Sequence, residues 1–336
     1  MLHRRAAATV ALLLAAIVAY TTPAGADDRI AAMFPTWPGY APVMVAEELG
    51  YFKEEGLDLT WRFEDDRSVV MAAMARGDID MDMRTVGEHQ GKPRDASTPG
   101  VIIGTIDVSL GGDGVVVDQS IRSAADLKGK IFASEPNVPA RLLIQVVLKK
   151  QGLTLNDVKL KEVATADSIT VFSDPSIAGL ATYEPYLSQL LKLTSRPGAK
   201  ILVSSKDFPG IITDIITARN DALAENPEKF RKFLRGVYRA IDFYKKDPQK
   251  FVELAAPYFS MSPDDVKAVL DSSLVYTSYE DAVDYLGKPG APGKLYGLFD
   301  EVMQLNLEYG AAVTKLDANQ QIDNTLITGL FDGKTR

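Results

Sequence analysis

The sequence predicts an α/β architecture in two lobes, on three observations. Between Arg29 and Ser204, short apolar runs alternate with segments of helical periodicity, the order that builds a mostly parallel sheet with helices on its faces. At 336 residues the chain is long for one core and suits two. Two extended stretches, Gly114–Val117 and Gly210–Ala218, break the alternation and read as crossings between lobes, and the rest is helical.

The opening unit carries the pattern most clearly. Arg29 to Phe34 is a short apolar strand, and Pro35 to Tyr40 is a loop of turn formers holding two large aromatics. From Pro42, the residues Val43, Met44, Ala46, Leu49 and Phe52 recur at helical spacing, with Gly50 and Gly56 marking the end. A second strand, Leu57 to Phe63, completes a βαβ unit. Loops at the carboxyl ends of such strands are where these sheets hold small molecules.

Ser68 suits the N-cap of a helix over Val69–Arg76, which Gly77 stops. Ile79–Arg84 alternates like a strand with one wet face, and Gly87–Pro99 is a polar loop. Val101–Val108 is an apolar strand that runs into the flexible Ser109–Gly114 junction. The second lobe is predicted to hold strands at 130–134, 158–163, 177–182 and 201–204, with helices at 139–150, from 168, and at 186–193. Helices follow at 227–244, 248–259, 263–274 and 294–309, with Asn226, Asp247 and Ser262 before three starting prolines as N-caps. On this division lobe one is 27–115 plus 215–336, and lobe two is 116–214.

Residues 1–26 read as a cleaved leader: the basic His3-Arg4-Arg5, an apolar run from Ala6 to Ala19, and the small Ala24-Gly25-Ala26 site. The run is shorter than the roughly 20 residues that span a bilayer. Formal net charge is −8, a poor match to nucleic acid or an anionic membrane surface. There are no cysteines, which excludes disulfides, thiolate metal sites, cysteine nucleophiles and a cysteine-linked lipid anchor. His89 is the one histidine beyond the leader, so a histidine-rich metal centre or a histidine triad lacks its parts, and a loop histidine reads as a solvated surface residue. No cofactor and no metal are expected.

The string Trp37-Pro-Gly-Tyr-Ala-Pro42, followed by Val45-Ala-Glu-Glu-Leu-Gly-Tyr-Phe-Lys-Glu-Glu-Gly-Leu-Asp58, resembles the start of substrate-binding proteins of ABC importers. Arg76-Gly-Asp-Ile-Asp80, Asp107-x-Ser109, Ser123-x-x-Asp-Leu-Lys-Gly129 and Tyr183-Glu-Pro185 fit the same sulfonate/nitrate/taurine-binding family, which includes pyrimidine-precursor binders. The resemblance implies a type II periplasmic binding fold with two hinge crossings. It further implies a periplasmic monomer that closes on a small molecule and delivers it to a permease and ATPase.

Trp37 and Tyr40 flank a Pro-Gly turn at a strand's carboxyl end, where an aromatic can present its face to a ligand or pack on the following helix. The loops and hinge segments carry Asp65, Asp66, Asp107, Asp113, Glu135, Asp167, Glu184 and Asp214, against Arg67, Arg84 and the titratable His89. Asp107 and Asp214 sit in apolar strands, where a carboxylate needs a hydrogen-bonding or cationic partner, a ligand nitrogen or Arg84. Family members hold an anionic head on small residues at the turn occupied here by Glu135-Pro136-Asn137, and Asn137 is a contact candidate. Asp167 is the cap of the next helix or a contact, and Glu184 stands at a strand end expected to face the cleft.

Acids with aromatics suit a ligand bearing N–H or ammonium donors: an amine, an amidine or an N-heterocycle. The alternative is a zwitterionic sulfonate such as taurine, held by Arg84 and the acids. A third reading is a pyrimidine-synthase-like enzyme on the same fold, which requires cysteine-bound iron and meets a chain without cysteine.

Overall fold

The computed structural model describes residues 28–95, 97–136, 138–334 and 336; the expected leader and Asn137 lie outside the described residues. The chain opens with β1 (Arg29–Phe34), α1 (Ala41–Glu48), α2 (Tyr51–Glu54), β2 (Asp58–Phe63), α3 (Arg67–Arg76), β3 (Met81–Thr85), α4 (Val86–Gln90) and β4 (Val101–Ser109). There follow β5 (Asp113–Val117), β6 (Ile131–Ser134), α5 (Pro139–Lys150), β7 (Lys159–Glu162), α6 (Ser168–Phe172), β8 (Ile177–Tyr183), α7 (Tyr186–Leu193) and β9 (Lys200–Ser204). The return begins at β10 (Thr213–Ala218) and continues through α8 (Asn220–Glu225), α9 (Pro227–Lys246), α10 (Pro248–Ala255), α11 (Pro263–Ser273) and β11 (Leu274–Tyr276). Last come α12 (Tyr279–Leu286), the small hairpin β12 (Gly287–Lys288) and β13 (Ala291–Pro292), α13 (Lys294–Glu308) and α14 (Ala318–Gln321).

Two sheets organise these elements. One has the order β11-β4-β10-β3-β1-β2, the other β7-β6-β8-β5-β9. The expectation of mostly parallel sheets holds only for the βαβ parts, where β1 lies parallel to β2 and β3, and β6 parallel to β7 and β8. β10 runs antiparallel to β3 and β4, β11 to β4, and β5 to β8 and β9.

β3, β5, β8 and β10 are buried along their whole length, as strands covered on both faces must be. The C-terminal helices supply much of that cover. α9 packs on the first helices, Phe233 stacking on Phe52 at 5.4 Å, and a Cβ at Gly236 would meet the Phe52 ring at 2.3 Å. The three expected caps are made: Asn226, Asp247 and Ser262 accept from the backbone of Lys229, Lys250 and Asp265. At α3 the cap is Asp66 instead of Ser68, because the carboxylate accepts from the Ser68 N–H. The segment read as loop, 87–99, overlaps α4, whose Thr85-x-x-Glu88 capping box starts the helix one residue after β3 ends.

Candidate functional site

The site grows out of the loop after β1. The Trp37 N–H donates to the Pro35 carbonyl at 2.8 Å and the Tyr40 N–H to the Trp37 carbonyl at 3.0 Å, so Pro38–Tyr40 forms a single tight turn. The Tyr276 hydroxyl ties that turn to the sheet edge by donating to the Pro38 carbonyl at 3.2 Å. Gly39 is required by proximity: a Cβ there would lie 2.1 Å from the Trp37 Nε1 and 2.2 Å from the Asp107 Oδ2.

Both aromatics spend their polar atoms on buried acids. The Trp37 indole N–H donates to Asp107 Oδ2 at 3.0 Å, and the Tyr40 hydroxyl donates to Asp214 Oδ1 at 2.5 Å. Asp107 and Asp214 face each other directly in the β4–β10 ladder. Of the expected partners for these carboxyls, hydrogen-bonding or cationic, the structure supplies hydrogen-bond donors, an indole and a phenol, in place of the ligand nitrogen or Arg84. Burial first, then the neighbouring acids, push Asp214 well above the carboxylate range; burial also raises Asp107, against the Trp37 hydrogen bond. Burial brings Asp113 up to about 7, a hydrogen bond from Ser109 opposing it. Burial thus favours the neutral form of all three acids.

The arginines meet carboxylates close by. Arg67 pairs with Asp82 at 2.7 Å, and Arg84 with Glu88 at 3.3 Å while also donating to the Glu64 carbonyl at 2.8 Å. Glu88 in turn caps its helix through Thr85. From the second sheet, Glu135 accepts from the Thr165 hydroxyl at 2.5 Å, and burial raises its pKa. The Tyr183 ring meets the Trp37 ring edge-on, with centroids 6.3 Å apart.

These groups surround a narrow cavity in the cleft, with about 30 Å³ of room for water-sized groups. Its wall includes Trp37, Tyr40, Arg84 and Asp214 among the expected residues, with Asp113, Glu135 and Tyr183. Asp107 lies directly behind Trp37. A larger chamber adjoins it, sharing Thr85, Glu88, Pro136, Val138 and Pro139 and extending to Arg141 and Tyr309.

Three expected residues stand elsewhere. Asp66 is exposed and caps α3, away from the cavity wall. Asp167 is exposed and makes neither the helix cap nor a cavity contact. Glu184 is buried but turned onto the helix that follows it, accepting from the Ser188 N–H at 3.1 Å and hydroxyl at 2.7 Å. The residue taking that place at the cavity is Glu135. His89 is buried in α4 with its Nε2 against Gln321 at 2.9 Å, where a solvated loop histidine was expected. Glu88 is the wall residue that sequence reasoning missed, although the Thr85-x-x-Glu88 spacing was available to signal it.

A family model described as NMT1/THI5 like matches residues 37–251. A protein of Brucella abortus (strain 2308) whose name proposes a binding protein is 23% identical over 281 residues, covering 83% of this chain and 85% of its own. The 4-amino-5-hydroxymethyl-2-methylpyrimidine phosphate synthase of Aspergillus parasiticus is 27% identical over 237 residues, covering 67% of this chain and 68% of its own. Among solved structures, the alkanesulfonate-binding protein of Xanthomonas axonopodis pv. citri superposes with a TM-score of 0.71 at 14% identity, over 90% of this chain and all of that one. The periplasmic nitrate-binding protein of Synechocystis PCC 6803 superposes with a TM-score of 0.72 at 13% identity, over 91% of this chain and 89% of that one. At such identities the likeness is one of fold: that of two-lobed periplasmic binding proteins.

Proposed function

The chain belongs to the NMT1/THI5-like family, and from that premise we propose that it is the periplasmic solute-binding component of an ABC importer, capturing a small flat nitrogenous compound between its lobes. Its fold is shared with binding proteins for a sulfonate and for nitrate. The partners this reading implies are a permease and its ATPase, with the protein acting as a monomer.

The ligand class rests on one observation: both guanidinium groups at the cavity already lie against protein carboxylates, Arg67 on Asp82 and Arg84 on Glu88. The wall therefore offers no surplus cation for a bare anion. It offers ring surfaces from Trp37, Tyr40 and Tyr183, with carboxyl groups on Glu88, Asp113, Glu135 and Asp214. A planar ring with amino substituents presents its face to the first set and its N–H donors to the second. The pyrimidine named in the Aspergillus parasiticus relative has that form.

A second reading, a zwitterionic sulfonate such as taurine, has its own support: the Nε of Arg67 and of Arg84 is buried without a hydrogen-bond partner. An enzymatic role has less to build on. The chain has no cysteine, and His89 is buried with Nε2 already engaged by Gln321.

Isothermal titration calorimetry distinguishes the readings. 4-Amino-5-hydroxymethyl-2-methylpyrimidine should bind saturably, with ethanesulfonate and nitrate inert. Saturable taurine binding with no response to the aminopyrimidine would replace the first reading by the second. Recovery of the aminopyrimidine chemically altered after incubation would revive the enzyme.

A further inference from the structure

Asp65 lies two residues beyond the end of β2, on the lobe built around the six-stranded sheet. Its Oδ1 accepts from the Thr36 N–H at 2.7 Å and the Tyr183 hydroxyl at 3.3 Å. Its Oδ2 accepts from the Thr36 hydroxyl at 3.3 Å and the Tyr186 hydroxyl at 3.0 Å. Each oxygen thus holds one donor from its own lobe and one from the other. Thr36 precedes Trp37 in the loop after β1, and Tyr183 and Tyr186 bracket the junction of β8 and α7 with their rings edge-on at 5.7 Å.

On the far side of the cleft the lobes meet differently. There the Gln145 amide donates to the Tyr309 carbonyl at 3.3 Å, and Lys149 pairs with Glu308 in a half-exposed contact. Solvent screening makes such an ion pair a weak tie. The half-buried, four-donor contact at Asp65 is the stronger of the two.

We propose that Asp65 is a positioning residue that latches the cleft: it favours the closed arrangement before any solute arrives and so sets both the open–closed equilibrium and the rate of release. Because the latch is made by the protein alone, the empty molecule spends much of its time closed, and the solute gains only what its own contacts add. The same bonds hold Trp37 beside Tyr183 and keep the aromatic walls of the cavity in place. Both phenol hydroxyls are engaged by Asp65, which leaves the Tyr183 ring to meet a ligand by face or edge. The inference rests on a two-lobed fold that closes, and not on the chemistry of the ligand.

The absence of cysteine allows clean labelling. Lys53→Cys on α2 and Lys161→Cys on β7, both at exposed positions, put one spin label on each lobe for double electron–electron resonance on protein freed of solute by extensive dialysis. The otherwise native protein should give mainly the short, closed distance. Asp65→Asn, and separately Tyr183→Phe with Tyr186→Phe, should at least halve that population in favour of a longer distance, with the far-ultraviolet circular dichroism unchanged. The tyrosine pair leaves the Thr36 side intact and carries the test if Asp65→Asn fails to fold. A distribution unmoved by removal of both phenol hydroxyls overturns the latch, even if Asp65→Asn opens the cleft. No solute is present, so that failure leaves the ligand reading standing.

Discussion

Trp37 has two jobs that one substitution separates. Trp37→Phe keeps a ring in the cavity wall but removes the only hydrogen bond that the Asp107 carboxyl accepts among the described residues, its Oδ1 being already unpartnered. The expected cost is about 1–3 kcal/mol of stability, read from urea unfolding. Trp37→Ala also removes the stacking surface, and should weaken aminopyrimidine binding at least about tenfold in calorimetry, or ~1.4 kcal/mol. Unchanged affinity would mean that the indole only props up the hinge strands. The buried acids add a pH dependence whose sign is fixed. Asp107, Asp113 and Asp214 have folded pKa values raised above the unfolded value near 3.9, so between about pH 4 and about 7, and beyond for the Asp107–Asp214 pair, the native state holds protons that the unfolded chain has released. Stability contributed by these groups therefore falls as pH rises through that window. Asp107→Asn, which removes one of these titrations, should flatten the decline; an identical pH–stability slope in the variant would contradict the assignment. The aromatic loop and the acids at 107 and 214 were legible in the sequence because turn formers and isolated charges in apolar strands stand out. Their partners were not, since Trp37 and Asp107 meet across 70 positions of chain and only the sheet register brings Asp214 opposite Asp107.

At the scale of elements, local chemistry predicts well where it acts within a few residues. Asn226, Asp247 and Ser262 cap the helices their prolines announce, and Ser262→Ala should cost about 1 kcal/mol in urea unfolding with m unchanged. Asp66, Asp167 and Glu184 show where it misleads. A carboxylate beside a helix start looks the same in sequence whether it caps the helix, as Asp66 does, stands in solvent, as Asp167 does, or bonds to the helix that follows it, as Glu184 does. The pairing direction of β10 and β5 was equally hidden, because period-two alternation carries no information on strand polarity. The tight turn at Gly39 is a further test. Gly39→Ala places a methyl group on Trp37 and Asp107, should cost about 1–3 kcal/mol, and should shift the tryptophan emission as Trp37 is displaced. A variant as stable as the parent with the same emission would show that the loop is looser than its contacts indicate.

At the scale of the whole molecule, two sheets joined by crossing strands set one wall of the cavity against the other. Trp37, Tyr40 and Arg84 come from the six-stranded side, and Glu135 and Tyr183 from the five-stranded side. That arrangement was anticipated from the alternation of elements and the two extended interruptions, and more specifically from the resemblance to binding proteins. The net charge of the site was not. Counting acids against arginines ignores that burial favours the neutral form of Asp113 and Asp214 and that both arginines are internally paired. What remains is a cleft of aromatic faces and buried carboxyl groups, which the proposed reading matches to N–H donors. Its most direct test is native mass spectrometry of the protein purified from a periplasm, with the small molecule released on denaturation and identified. The account predicts a nitrogen-bearing compound, a planar ring with amino donors above all; release of a sulfonate or another anion lacking a basic nitrogen would contradict it.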